Sequence, residues 1–519
     1  MDRAIGRAAI VLMLGNLAGS TLGFVRQAVI AKVFGATLGT DAFFAASIVP
    51  QMFYDLTIGA AISAALIPTF SEIIEARGRD DLWSLLGSVL ALAWLVLAAV
   101  IVLLIIVARP FMTLLLLGYH THLRAGALSL SIEIVRILIP TLFFLGTSAV
   151  LLSALYSLRR FTIPAFAGTL YHLGVILGVV FLAHRLGILA LPLGALAGAA
   201  GQAIIQVPAI LRAGARIKIR LALTPDIRRI IRLYAPVAAG LLVSIAGQII
   251  DLTFKSQLRN GAITDMQFAT TLTQFPIGIG VAALTFAVLP SLSSDAAFGR
   301  IERFKDTLAT GIRLVLFLTI PAAVGYIVLA TPIVSLLFQH GHFRPVATAR
   351  TATALTGYAI QIPFVGIDQL LIFSFYARKN TVTPMLIGIL GVGIYIGSAL
   401  LLMPRYQILG LALANTIQNS LHGLILLGLL FAAIGTFGGR GVLPSVGKSC
   451  IAALAMGIAA GLCAYAVSRV ANTHLLAGQA LDALAPIAVA GVIYVGLSRV
   501  MRSAELNAVV SVARTRLGG

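Results

Sequence analysis

Leu66-Ile67-Pro68-Thr69-Phe70-Ser71 returns 222 residues later as Val288-Leu289-Pro290-Ser291-Leu292-Ser293. The same offset carries Ala108-Arg109-Pro110 onto Ala330-Thr331-Pro332. Ile139-Pro140 returns as Ile362-Pro363, and Tyr156 with Pro164 returns as Tyr376 with Pro384. Leu193-Gly194-Ala195 returns as Leu409-Gly410-Leu411, by which point the offset has drifted to 216. One such echo is chance. Five in order mark an internal duplication. A duplicated polytopic membrane chain is expected to be a transporter with its site between the halves.

The chain has 519 residues, 60% of them hydrophobic and 10% charged, with a mean hydropathy of +1.03. A soluble domain carries about 25% charge, so most of this surface is expected to face lipid. Runs such as Leu85 to Val107, Leu314 to Phe338 and Leu386 to Met403 approach or exceed the ~20 residues that cross a bilayer. They are continuous rather than alternating, which favours helices over barrel strands. The expected architecture is all-α and polytopic. Fourteen transmembrane helices form two pseudo-twofold-related six-helix lobes plus two C-terminal helices. Each repeat has an even number of spans, which places the pseudo-twofold axis along the membrane normal.

A net charge of +20 invites a nucleic-acid reading, but the placement of the charges argues against one. With both termini on one side, the loops of that side hold 25 Lys and Arg and the opposite loops 9. That asymmetry is a positive-inside signal, so both termini are expected in the cytoplasm. The expected segments are an N-lobe over 1–211, a basic cytoplasmic linker over 212–230 and a C-lobe over 231–434. Accessory spans over 445–503 and a cytoplasmic tail over 504–519 follow. The linker region runs through Arg212, Arg216, Lys218, Arg220, Arg228, Arg229 and Arg232 with one acid, Asp226; it suits an interface with anionic headgroups. Cys450 and Cys463 lie on different faces of one expected helix, which excludes a disulfide between them.

Each ionised side chain at mid-bilayer costs about 2.5–3.5 kcal/mol on the insertion scale, so those within spans must face a wet cavity or pair. Glu133 with Arg136 and Asp251 with Lys255 have helical pair spacing. Arg26 and Asp55 have no partner close in sequence and are candidates to line a cavity. Asp41 falls near a membrane edge. Asp265 and Asp368 are further intramembrane acids. His120-Thr121-His122 and His340-Gly341-His342 occupy equivalent loops, but two ligands are too few for a metal site. No Walker A, glycine-rich nucleotide loop or Gly-x-Ser-x-Gly elbow is present. The loops are too short to hold a catalytic domain, so no enzymatic activity is expected.

Several words in order carry a family resemblance. They are Leu22-Gly23-Phe24-Val25-Arg26, Phe34-Gly35-Ala36, Thr40-Asp41-Ala42-Phe43-Phe44, Phe275-Pro276-Ile277-Gly278, Leu337-Phe338-Gln339 and Phe375-Tyr376-Ala377-Arg378. Together they resemble the MurJ/MviN family of lipid II flippases, within the multidrug/oligosaccharidyl-lipid/polysaccharide exporter superfamily. The resemblance implies alternating access around a central cationic cavity. The implied cargo is a polyprenyl-diphosphate-linked peptidoglycan precursor, with membrane lipid the surrounding partner, and the implied state is a monomer. The last two spans would hold the prenyl tail. No metal or organic cofactor is implied; a coupling cation, sodium or proton, is.

On this resemblance the substrate cavity takes Arg26, Asp41, Asp55, Lys255 and Gln274. Asp251 stands where some family members place a sodium ligand. The chain also departs from the family. Family arginines fall on Ser20, on Tyr54 and Asp55, and on Thr271. Family acids fall on Gly59 and Gln274. A cavity with fewer cations holds a diphosphate less well, so weak transport of ordinary lipid II is expected. Two alternatives stay open: a flippase for another polyprenyl-linked oligosaccharide or an amphipathic molecule, and a non-transporting paralogue that scaffolds cell-envelope enzymes.

Overall fold

Residues 79–115 make one uninterrupted helix whose two faces are both apolar. Leu90, Leu97, Leu104, Ala108 and Met112 are buried along one stripe, while Leu95, Val96, Val102, Leu103 and Ile106 are exposed on the other. An exposed face made of leucine, valine and isoleucine is stable only against hydrocarbon. The computed structural model describes residues 3–54, 65–117, 125–222, 224–471 and 475–508. Among the described residues every regular element is a helix.

The chain divides into two units, Met1–Thr264 with Gly341–Phe343, and Asp265–His340 with Arg344–Gly519. The first holds α1 (Arg3–Phe34), α2 (Leu38–Tyr54), α3 (Ile67–Arg77), α4 (Arg79–Leu115), α5 (Ala125–Leu138) and α6 (Thr141–Ser157). It continues through α7 (Thr162–Ala167), α8 (Thr169–Leu186), α9 (Ala190–Ile204), α10 (Val207–Leu211) and α11 (Pro225–Gln257). Next come α12 (Ala262–Pro276), which crosses the unit boundary, α13 (Ala282–Ala297), α14 (Ile301–Val328), α15 (Ala330–Phe338) and α16 (Pro345–Ala359). The chain ends with α17 (Ile362–Ala377), α18 (Val382–Ile434), α19 (Val442–Val470) and α20 (Leu476–Val500).

Among the described residues, seven helical stretches are long and apolar enough to cross a membrane, and a bent pair, α16 with α17 at 45°, makes an eighth. Two of the seven, Thr162–Leu211 and Val382–Ile434, run 50 and 53 residues. At ~1.5 Å per residue each is about twice the length one crossing needs. Each breaks in the middle at a residue with the same backbone conformation. Gly187 takes φ 54°, ψ −134°, and Gln407, 220 positions later, takes φ 52°, ψ −123°. The repeat shows again after Tyr156 and Tyr376. Arg159 (φ 57°) and Lys379 (φ 59°) are left-handed, and each donates its N–H to the carbonyl of its own tyrosine at 2.9 Å. The twinned Ile-Pro words mark the breaks between α5 and α6 and between α16 and α17, because proline cannot continue a helix without losing a hydrogen bond.

Gln407 sits in a backbone region that favours glycine. The repeat partner is glycine already. Gln407→Gly is therefore expected to raise the melting temperature of the purified protein, reflecting about 1 kcal/mol of relieved strain. An unchanged or lower melting temperature would show that the turn carries no strain.

Packing within each unit follows composition. Gly174 and Gly178 of α8 face Gly194 and Gly198 of α9. A Cβ on Gly194 would come within 2.6 Å of the Gly174 carbonyl oxygen, so only glycine lets these backbones touch. In the first unit Phe70, Trp83, Leu86, Leu155 and Ile210 share one apolar cluster. In the second, α19 and α20 pack on α14 through Phe317, Met456, Ala460 and Tyr494, and the Tyr494 hydroxyl donates to the Phe317 carbonyl at 2.7 Å.

The basic segment is helical from Pro225 onward. Thr224 accepts the Ile227 N–H at 3.3 Å and Pro225 occupies the first turn, a favourable start. The helix then continues to Gln257, so residues 225–230 open α11 itself. Arg77 pairs with Asp226 at 2.9 Å and Arg229 with Glu72 at 2.8 Å. The Arg229 hydrogen bond holds the Glu72 carboxyl below its ordinary value of 4.5. That tether is complete above this value and is lost as pH falls below it.

Candidate functional site

Two threonine contacts shape the turn that presents Asp41. Gly35 ends α1 with φ 64°. Thr40 Oγ1 then donates to the Gly35 carbonyl (3.1 Å) and accepts the Thr37 N–H (2.8 Å). Asp41 follows in the first turn of α2, 1% exposed. Its carboxylate caps another helix. Oδ2 accepts the Gly261 N–H at 2.6 Å, and Oδ1 accepts the Thr264 N–H at 2.8 Å and its hydroxyl at 2.7 Å. Gly261 reaches this position with φ 87°. The carboxylate thus satisfies orphan donors at the start of α12, where negative charge is favoured.

Asp265, the next residue, is wholly buried. Arg350 Nε lies 2.6 Å from its carboxylate, and the Thr351 hydroxyl donates to it at 3.2 Å. The two acids are repeat partners. Thr40-Asp41-Ala42-Phe43-Phe44-Ala45 and Thr264-Asp265-Met266-Gln267-Phe268-Ala269 share Thr-Asp-x-x-Phe-Ala at an offset of 224. This sixth repeated word relates Asp41 to Asp265, the residue next to its partner Thr264.

Arg26 lies on α1 beside Tyr171 and His172 of α8. Gly23 makes room there; a Cβ on it would stand 3.5 Å from His172 Nε2. Arg26 Nε is buried and has no hydrogen-bond partner among the described residues. Ser20, two turns earlier on the same helix, is exposed. Lys255 and Asp251 pair along α11 at 2.5 Å, so a cation at Asp251 would have to displace Lys255. Gln274 is exposed on α12 and belongs to the second unit, with exposed Phe275 next to it. The Thr271 hydroxyl is engaged with the Gln267 carbonyl at 2.8 Å. Asp55 and Gly59 lie outside the described residues, as do His120 and His122.

Glu133 and Arg136 are exposed on one face of α5. Asp368 meets His422, a residue that sequence reading passed over, at 2.8 Å. Among the described residues no group of three or more His, Cys, Asp or Glu is arranged to hold a metal. The His340 ring bonds the Leu336 carbonyl, and the His342 N–H donates to the Lys32 carbonyl.

Long apolar helices and an internal repeat define a polytopic membrane protein. Solved structures agree on the fold. A lipid II flippase MurJ in an inward closed conformation matches with a TM-score of 0.77 at 23% identity, covering 95% of this chain and 98% of that one. An inward-facing multidrug resistance MATE transporter of the MOP superfamily matches with a TM-score of 0.67 at 14% identity, covering 84% and 99%.

The sequence profile of the lipid II flippase MurJ family matches residues 30–478. The chain belongs to that family. A probable lipid II flippase MurJ of Haemophilus influenzae is 28% identical over 86% of this chain and 90% of its own length. The lipid II flippase MurJ of Burkholderia cenocepacia is 27% identical over 81% and 82%.

Proposed function

We propose that this protein moves lipid II, a polyprenyl-diphosphate-linked peptidoglycan precursor, across the inner membrane by alternating access. The family match over residues 30–478 carries this reading. The 25 to 9 split of basic residues supports fourteen spans with both termini in the cytoplasm, and the protein acts as a monomer. Arg26, with an unsatisfied buried Nε, is the cation that meets the diphosphate. Asp41 fixes the start of α12.

A second reading rests on the cations that are missing. Ser20 and Thr271 stand where the family uses arginine, which favours a related polyprenyl-linked glycan with a less demanding headgroup. Expression in cells depleted of their own lipid II flippase separates the two. Growth rescue, weaker than that by the native protein, is expected. Absence of rescue by a membrane-inserted, folded protein would favour the other cargo.

A further inference from the structure

His422 lies near the middle of the apolar segment between the Gln407 break and Ile434. Its ring is held from α17, with Nδ1 2.8 Å from Asp368 Oδ1. Two glycines frame the pair. A Cβ on Gly391 would stand 3.9 Å from the ring, and one on Gly423 would stand 3.4 Å from the Asp368 Cβ.

Beside a neutral imidazole the Asp368 carboxylate leaves a net charge within the membrane span, which is costly. An imidazolium at His422 cancels that charge and donates a charge-assisted hydrogen bond to it. The geometry points to a proton-binding site: we infer that His422 and Asp368 hold an exchangeable proton within the second unit, and that its release is coupled to the transport cycle. The coupling rests on the transporter reading above; the site itself does not.

The mechanical consequence follows from which elements meet at the ring. With the proton bound, a charge-assisted contact ties the part of α18 after Gln407 to α17. Without it, that tie is weakened. A polar line continues from the site. Asn419, one turn before His422, donates to Gln361 at 2.7 Å and to Asn415 at 3.1 Å. The side chains of His422 and Asp368 are 13% and 17% exposed, so the pair is not sealed from proton exchange.

Four other ionisable groups in the second unit are engaged elsewhere. Arg350 of α16 faces Asp265, and Asp295 of α13 faces Arg300. On α14, Arg313 faces Glu505 and Tyr326 donates to the Leu272 carbonyl. Asp368 is the ionisable group in contact with the ring. Ionisable pairs within membrane spans are costly and mark functional sites.

Two readouts test the inference on the full-length protein. The first needs no cargo. Nitrogen NMR of histidine-labelled protein, with His422 assigned by its loss in His422→Gln, is expected to show both ring nitrogens protonated at neutral pH. One proton should be lost in Asp368→Asn. A ring that is singly protonated at neutral pH and unaffected by Asp368→Asn would overturn the site.

The second readout is the ratio of lipid II translocation rates with and without an imposed pH gradient in proteoliposomes. The wild-type ratio is expected to reach about fivefold or more, falling to about one in His422→Gln and in Asp368→Asn. Should His422→Gln fail to fold, Asp368→Asn carries the comparison. A wild type that translocates lipid II with no response to the gradient, or a folded variant that keeps the full ratio, would overturn the coupling. A wild type that moves no lipid II at any pH refutes the cargo instead, and the NMR result then decides the site alone.

Discussion

Asp41→Ala is expected to abolish growth rescue and to lower the melting temperature of the purified protein. The change strips an acceptor from three donors at once, the N–H groups of Gly261 and Thr264 and the Thr264 hydroxyl. Each buried donor left without a partner costs about 1–3 kcal/mol. The sum is several kcal/mol, a large fraction of the margin that holds most proteins folded. Asp41→Asn keeps one acceptor oxygen and should fall between the alanine variant and the wild type. An alanine variant with the wild-type melting temperature would show that the cap contributes nothing to the start of α12.

Arg26→Ala is expected to weaken binding of a lipid II headgroup analogue by roughly 10- to 150-fold, the equivalent of about 1.5–3 kcal/mol for one charge-assisted contact. The guanidinium is already buried beside Tyr171 and His172 with Nε unsatisfied, so an anion would complete it rather than displace a partner. Ser20→Arg is the complementary test. Ser20 is exposed on the same helix, and an arginine there should strengthen binding. Titration of the purified variants with a fluorescent analogue measures both. Equal affinity in wild type and Arg26→Ala would remove Arg26 from the site.

The sequence exposed the repeat because proline and glycine leave legible marks. The Ile-Pro words fall where α5 gives way to α6 and α16 to α17. The break at Gln407 was not legible, since glutamine announces no positive φ; only its partner Gly187 did. Asp41 was read as an acid at a membrane edge, where solvent makes a charge inexpensive. Its burial depends on Gly261 and Thr264, which lie 220 and more positions away and carry no charge to draw attention. Asp251 and Lys255 were found because helical spacing is local. Asp368 and His422 were not paired, since their contact joins two helices 54 positions apart. The hydropathy and charge pattern thus located helices and local pairs, while contacts that depend on tertiary packing emerged only from the folded chain.

Lipid II translocation by the purified protein in proteoliposomes tests the central claim most directly. Lipid II is placed in one leaflet and its appearance in the other is followed with a membrane-impermeant probe. The expected result is transfer faster than in protein-free vesicles, slowed by Arg26→Ala and accelerated by Ser20→Arg. Transfer no faster than in protein-free vesicles, from a preparation shown to be folded, would contradict it.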